Sequence, residues 1–148
     1  MVKSYEVMHD FEELSLPNAK LLQPDGSQFC FSEGKFSVID PNDPDKIAKA
    51  AARIDVDESL KQAWFGSVVT YNPGKHYGLV AYRDAITGAL ESGYSFRTSP
   101  FVNSPKSAHV WRKLSRLGVA EVVSEFHPIL GKSGDLNGYY VVHPTDLK

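Results

Sequence analysis

The 148-residue sequence contains one cysteine, Cys30. A lone thiol excludes an internal disulfide and a zinc site built from several cysteines. No apolar run approaches the roughly 20 residues that a membrane-crossing helix needs. Charge of neither sign dominates: 16 Lys and Arg stand against 18 Asp and Glu, for a net −2. Non-specific nucleic-acid binding needs many clustered cations, so that class is not expected. The opening "MVKSYEVMHDFEE" lacks the basic-then-apolar order of a secretory signal. His9, His76, His109, His127 and His143 are scattered with no His-x-His or His-x3-His pair, so no metal site is expected. The P-loop, the Rossmann glycine pattern and the Gly-x-Ser-x-Gly elbow are also missing. These absences leave a single cytoplasmic domain spanning 1–148, with neither nucleic acid nor membrane as partner, as the expectation.

What is present supports a packed core: 42% of residues are hydrophobic and 11% aromatic. Residues 5–16 read as a helix ended by Pro17, with Tyr5, Met8 and Phe11 on one face. "QFCFSEGKFSVID" reads as a hairpin of 28–31 with 35–39, with Cys30 as a small core residue. After "DPNDP", Ile47, Ala50, Ala51 and Ile54 predict a helix over 44–54, and 55–63 a short acidic helix. "AWFGSVVTY" (63–71) reads as a central strand, because little in it is polar. Leu79, Tyr82, Ile86, Ala89 and Leu90 recur at helical spacing up to Gly93. A strand over 94–102 follows, then a helix with Ser104 as N-cap, Pro105 as first residue, and Val110, Trp111, Leu114 and Leu117 as its buried stripe. Strands at 119–129 and 139–144 end the pattern. The fold class is mixed α/β (α+β), with a central sheet of about six strands flanked by helices. Trp64 and Trp111 read as core. Arg112, Lys113 and Arg116 read as a solvated helix face, and Asp43, Asp45, Asp55, Asp57 and Glu58 as an acidic surface stretch.

The informative stretch is "VTYNPGKHYGLVAYRDAITGALESGY". A buried strand stops at Asn72-Pro73-Gly74, a basic pair Lys75-His76 follows, and a helix starts at about Gly78. A helix start presents free backbone N–H groups and partial positive charge. With a glycine and no acid in the turn, such an end suits phosphate.

These residues resemble a known family. "KHYGLV" is similar to the acyl-CoA-binding turn of the GNAT superfamily of N-acyltransferases, Arg/Gln-x-x-Gly-x-Gly/Ala, with Lys75, Gly78 and Val80 at the patterned positions. "FVNSPKSAHVWRKLSRLGV" resembles the next strand end and helix of that family through Val102-Asn103, Ala108 and Leu117-Gly118-Val119. The resemblance covers residues 64–144. It implies a GNAT-like fold, acetyl-CoA as co-substrate and a small-molecule or protein amine as acceptor. It implies a cofactor site at Val69, Tyr71, Lys75, His76, Tyr77, Gly78, Leu79, Val80, Ala81, Asn103 and Ser107, with the pyrophosphate on N–H groups of 76–81. Arg112, Lys113 and Arg116 are the candidates for a 3′-phosphate.

The sequence departs from the family at the proton-transfer groups. Leu114 stands where the family carries an acidic Tyr, and "WFGSVVTY" carries no carboxylate. Tyr82 and His109 are the substitute catalytic candidates. Two readings follow: an acetyl-CoA-dependent N-acyltransferase, or a member that kept the fold and lost the chemistry. The second would serve as a structural or interaction protein with an assembly partner or a second copy, and a bacteriophage origin would suit it. A small toxin or nuclease domain is the third reading. An unsplit sheet between the strands at 64–71 and 94–100 would favour it.

Overall fold

The computed structural model describes residues 11–12, 14–71, 74–100, 105–123 and 139–142. In chain order these hold β1 (Lys20–Leu22), β2 (Gly34–Ile39), β3 (Ala50–Asp57), β4 (Gln62–Thr70), α1 (Tyr77–Glu91), β5 (Ser95–Arg97), α2 (Pro105–Arg116), β6 (Glu121–Val123) and β7 (Tyr139–Val142). The strands form one seven-stranded mixed sheet, in the order β1-β2-β3-β4-β5-β7-β6. Every pairing is antiparallel except β4 with β5, which is parallel. A parallel pair needs a crossover, and α1 supplies it, lying across β1 to β5.

The N-terminal half differs from the sequence expectation. No helix forms over 44–54 or 55–63. Ala50–Asp57 is a strand, with Ala50, Ala52 and Ile54 buried at period two and Arg53 exposed. Pairing on both sides, with β2 and β4, overrides the helix preference of its alanines. Asp43 does not cap a helix. Its carboxylate accepts from the N–H groups of Asp45 and Ile47 and pairs with Lys49, which makes a turn. The second helix is replaced by a tight connection from β3 to β4, where the Asp57 carboxylate accepts from the N–H groups of Ser59 and Leu60.

The expected hairpin of 28–31 with 35–39 is also absent. β2 pairs with β1 and β3, while Gln28 makes only an isolated bridge to Leu22. Phe29 and Phe31 pack instead on rings, Phe29 edge-on to Phe36 and Phe31 against Tyr94. Cys30 between them is exposed, not core. Phe11 and Glu12 are helical, with Phe11 fully buried; of the rest of the expected helix over 5–16, residues 14–16 are turn and loop, and residues 5–10 and 13 lie outside the described residues.

The C-terminal half follows the sequence pattern. α1 buries Leu79, Tyr82, Ile86, Ala89 and Leu90, and α2 buries Trp111 and Leu114. Gly93 and Gly118 end the two helices at φ +83 and +81, where a side chain would be strained. The Tyr94 and Val119 N–H groups then reach back to the carbonyls of Ala89 and Leu114. Only 95–97 and 121–123 of the expected strands at 94–102 and 119–129 are strand among the described residues, and of 139–144 it is 139–142. Ser104 lies outside them.

An ionic clasp fixes α1 on the sheet. Arg83 pairs with Asp84 at 2.8 Å and donates to the Ala19 carbonyl, and Asp84 accepts from the Leu21 N–H. The middle of α1 is thereby tied to the β1 edge, while Gly78 in its first turn lies against Thr70 at the end of β4.

Candidate functional site at the split in the sheet

β4 and β5 are zipped only at their beginnings. Gln62 pairs with Ser95 and Ala63 with Phe96, and among the described residues no further pairing joins them. β4 continues from Trp64 to Thr70 with no strand on that side among the described residues. Its N–H and C=O groups facing β5 therefore line an opening.

Four rings hold the strands apart at the vertex. Phe65 meets Tyr82 edge-on at 4.8 Å and Phe96 at 5.1 Å, Tyr82 meets Trp111 at 5.8 Å, and Trp111 stacks on Phe96 at 6.2 Å. Edge-to-face and stacked rings at these separations are favourable pairings. They fill the vertex with apolar bulk, so β5 cannot follow β4 further. Trp111 is core as expected, whereas Trp64 is only half-buried.

β4 is also irregular here. Arg53 pairs with Ser67 and Ile54 with Phe65, so Gly66 is an extra residue without a partner on β3. This is a β-bulge, which bends the strand and strengthens its twist. The Arg53–Asp55 ion pair sits where a Gly66 Cβ would be, within 2.3 Å of it.

The opening is a cleft of about 750 Å³, inside the roughly 300–1,000 Å³ range of small-molecule sites. Gly66, Ser67, Val68 and Thr70 of β4 form one wall. Lys106, Ser107, His109, Val110 and Lys113 of α2 form the other. Gly74 and His76 to Leu79 close its far corner, and Phe65 and Tyr82 its floor. A second cavity of about 860 Å³ lies between Phe29–Phe31, the β1 edge and the other side of α1, and it meets no helix start.

The far corner is the start of α1. His76 precedes the helix at φ +64, makes no side-chain cap, and no acid stands in the first turn. Among the described residues the first N–H groups of α1 thus have no side-chain acceptor, at an end that carries partial positive charge. Gly78 approaches Thr70 so closely that a Cβ would lie 3.2 Å from its methyl group.

At the floor, the Tyr82 hydroxyl is 3.4 Å from Ser107 Oγ. Burial pushes the Tyr82 phenol above its ordinary range, partly offset by hydrogen bonding with Ser107 and Trp111. The phenol is protonated at neutral pH and is therefore a proton donor. The described lining holds two lysines and two histidines and no carboxylate.

Of the residues expected at the site, His76, Tyr77, Gly78, Leu79, Tyr82, Ser107 and His109 converge on this cleft. Val69 and Tyr71 are exposed, at 51% and 57%, and are not in its lining. Lys75 is exposed beside it, and the Val80 and Ala81 side chains are fully buried in the core. Asn103 lies outside the described residues. Sequence reasoning missed Lys106 and the Gly66–Ser67 wall, and placed Lys113 on an outer face. A signal existed, because Lys106, His109, Val110 and Lys113 fall at i, i+3, i+4 and i+7. Among the described residues there is no group of three or more metal-ligating side chains, and no helix is long and apolar enough to cross a membrane.

The fold is similar to that of a solved acetyltransferase of the GNAT family from Bacillus anthracis, with a TM-score of 0.51 and 14% identity. The match covers 74% of this chain and 65% of that one, so it spans less than two-thirds of the acetyltransferase. No protein-family model matches the sequence, and no curated protein matches it. The fold is GNAT-like: a mixed sheet, split beside its central strand and crossed by a helix that starts at the split.

Proposed function

We propose that the protein is an N-acyltransferase that moves an acetyl group from acetyl-CoA to an amine by direct attack. One observation carries this reading: the open edge of β4 leads straight to the uncapped start of α1. A diphosphate needs clustered N–H donors and a close backbone approach, and the His76–Leu79 corner offers both. A pantetheine arm needs main-chain partners, which β4 offers from Ser67 to Thr70 (its amides resemble a peptide strand). Lys75 and His76 add positive charge at the rim.

Each step has a residue. The amine nitrogen bonds to the acyl carbon, and the carbon–sulfur bond breaks. The β4 main chain near Gly66 faces the developing oxyanion. His109 takes the amine proton, and Tyr82, adjoining Ser107, gives a proton to the leaving thiolate. Much of the acceleration comes from holding the two reactants together.

A second reading is an inactive GNAT-like protein that serves as an interaction or assembly partner. The placement of Leu114, fully buried in the core at the position where the family has its acid, favours it. Titration calorimetry with acetyl-CoA, followed by thiol-release assays over an amine panel, tests the two. The transferase reading expects binding and turnover, both lost in Gly78→Asp, which places a carboxylate in the phosphate corner. No binding at about millimolar acetyl-CoA removes the transferase reading. Binding without turnover on any amine leaves the second.

A further inference from the structure

We infer that the acceptor amine bears its own negative charge and that Lys113 recognises it. This deepens the transferase reading and rests on it. α2 turns a cationic face to the cleft: Lys106, His109 and Lys113, with Val110 between them. Among the described residues neither lysine has an ion-pair partner, and no carboxylate lines the cleft. Two lysines left unneutralised in one cleft point to an anionic occupant.

With the diphosphate at the His76–Leu79 corner and the 3′-phosphate beyond it, the phosphates of CoA do not account for a lysine at the vertex, which takes Lys113 out of the 3′-phosphate role. Seven helical residues span about 10 Å, so Lys106 and Lys113 serve different places. The first turn of α2 meets the floor of the cleft, where Ser107 adjoins Tyr82. The turn holding Lys113 lies level with the vertex. Trp111, two residues before it, stacks on Phe96, the last β5 residue paired with β4. Lys113 is therefore the cation at the end where the acyl group reacts.

A positive charge there has two consequences. It disfavours a protonated amine, and the free amine is the form that attacks. This replaces part of what a carboxylate base would do. It also repels polyamines and pairs with a carboxylate or phosphate on the acceptor. The acceptor class is an amino acid, an acidic peptide terminus or a phosphorylated amine, which share that chemistry.

The test uses CoA-saturated protein and two probes of equal length and opposite charge, glutarate and 1,5-diaminopentane. Amide shifts of Gly66, Ser67, His109 and Lys113 are followed by NMR. The expected result is saturable binding of glutarate and none of the diamine. Lys113→Gln should weaken glutarate by roughly tenfold, and Lys113→Glu should reverse the preference. Lys113 is half-exposed, so both variants should fold, which circular dichroism checks. Preference for the diamine, equal binding, or binding of neither probe overturns the inference and leaves the transferase reading standing. Failure of CoA itself to shift the His76–Leu79 amides overturns both.

Discussion

The hydroxyls of Tyr82 and Ser107 lie 3.4 Å apart and join α1 to α2 across the floor of the cleft. Tyr82 is also ringed by Phe65 and Trp111. Replacing it with Phe keeps the ring and removes the proton. Tyr82→Phe should lower kcat about 100-fold, the lower range for general acid–base groups. Stability should fall by only about 1 kcal/mol, and acetyl-CoA affinity should hold. Steady-state kinetics with a urea melt separate these effects. An unchanged kcat would remove Tyr82 from the chemistry.

Grafting the family's acid onto its usual place should fail. Leu114 is fully buried in the core, not at the cleft. Leu114→Tyr adds bulk to a filled site and should destabilise by about 1–3 kcal/mol, with no gain in turnover. Leu114→Ala should lose about 2–5 kcal/mol through its cavity. Denaturant midpoints check both. A more active Leu114→Tyr would show that this turn of α2 faces the substrate.

His76 stands in the left-handed region at φ +64. A side chain there is strained by about 1–2 kcal/mol, offset in part by the greater chain entropy that glycine loses on folding. His76→Gly should therefore stabilise by up to about 1 kcal/mol and weaken CoA binding, as charge leaves the corner. Paired thermal melts and calorimetry read the two signs. Lower stability would mean that the imidazole makes a contact worth more than the strain.

The C-terminal half was legible because its signals are local. Gly93 and Gly118 mark helix ends, and Leu79, Tyr82 and Ile86 repeat at one helical period. The stretch around Ala50–Ile54 was not, because alanines fit both periods and its strand state comes from β2 and β4. Phe29 and Phe31 looked like strand residues, yet they pack as wedges against Phe36 and Tyr94. The helix start at the cleft corner was readable from Gly78 and the missing acid. The vertex was not, because Phe65, Tyr82, Phe96 and Trp111 meet only in the folded chain. Lys113 was misplaced because Val110 belongs both to the buried stripe of α2 and to its cleft face.

A pH effect is expected away from the cleft. The Tyr94 hydroxyl donates to the Glu58 carboxylate, which also pairs with Lys61. The hydroxyl first, and then Lys61, lower the Glu58 pKa. A carboxyl lowered in the folded state adds stability above its unfolded pKa and loses it as pH falls through the folded value. Tyr94→Phe should move the Glu58 titration up toward the ordinary range and flatten the loss of stability on the acid side. Carboxyl NMR titration reads the shift, and an unmoved Glu58 would refute the pairing.

Hydrogen exchange along β4 is the most direct measurement of the open edge. With saturating CoA, amides of residues 66–70 and 77–79 should exchange about tenfold more slowly or better, while those of β2 stay unchanged. Exchange that is identical with and without CoA at those positions would contradict the cleft as a coenzyme site.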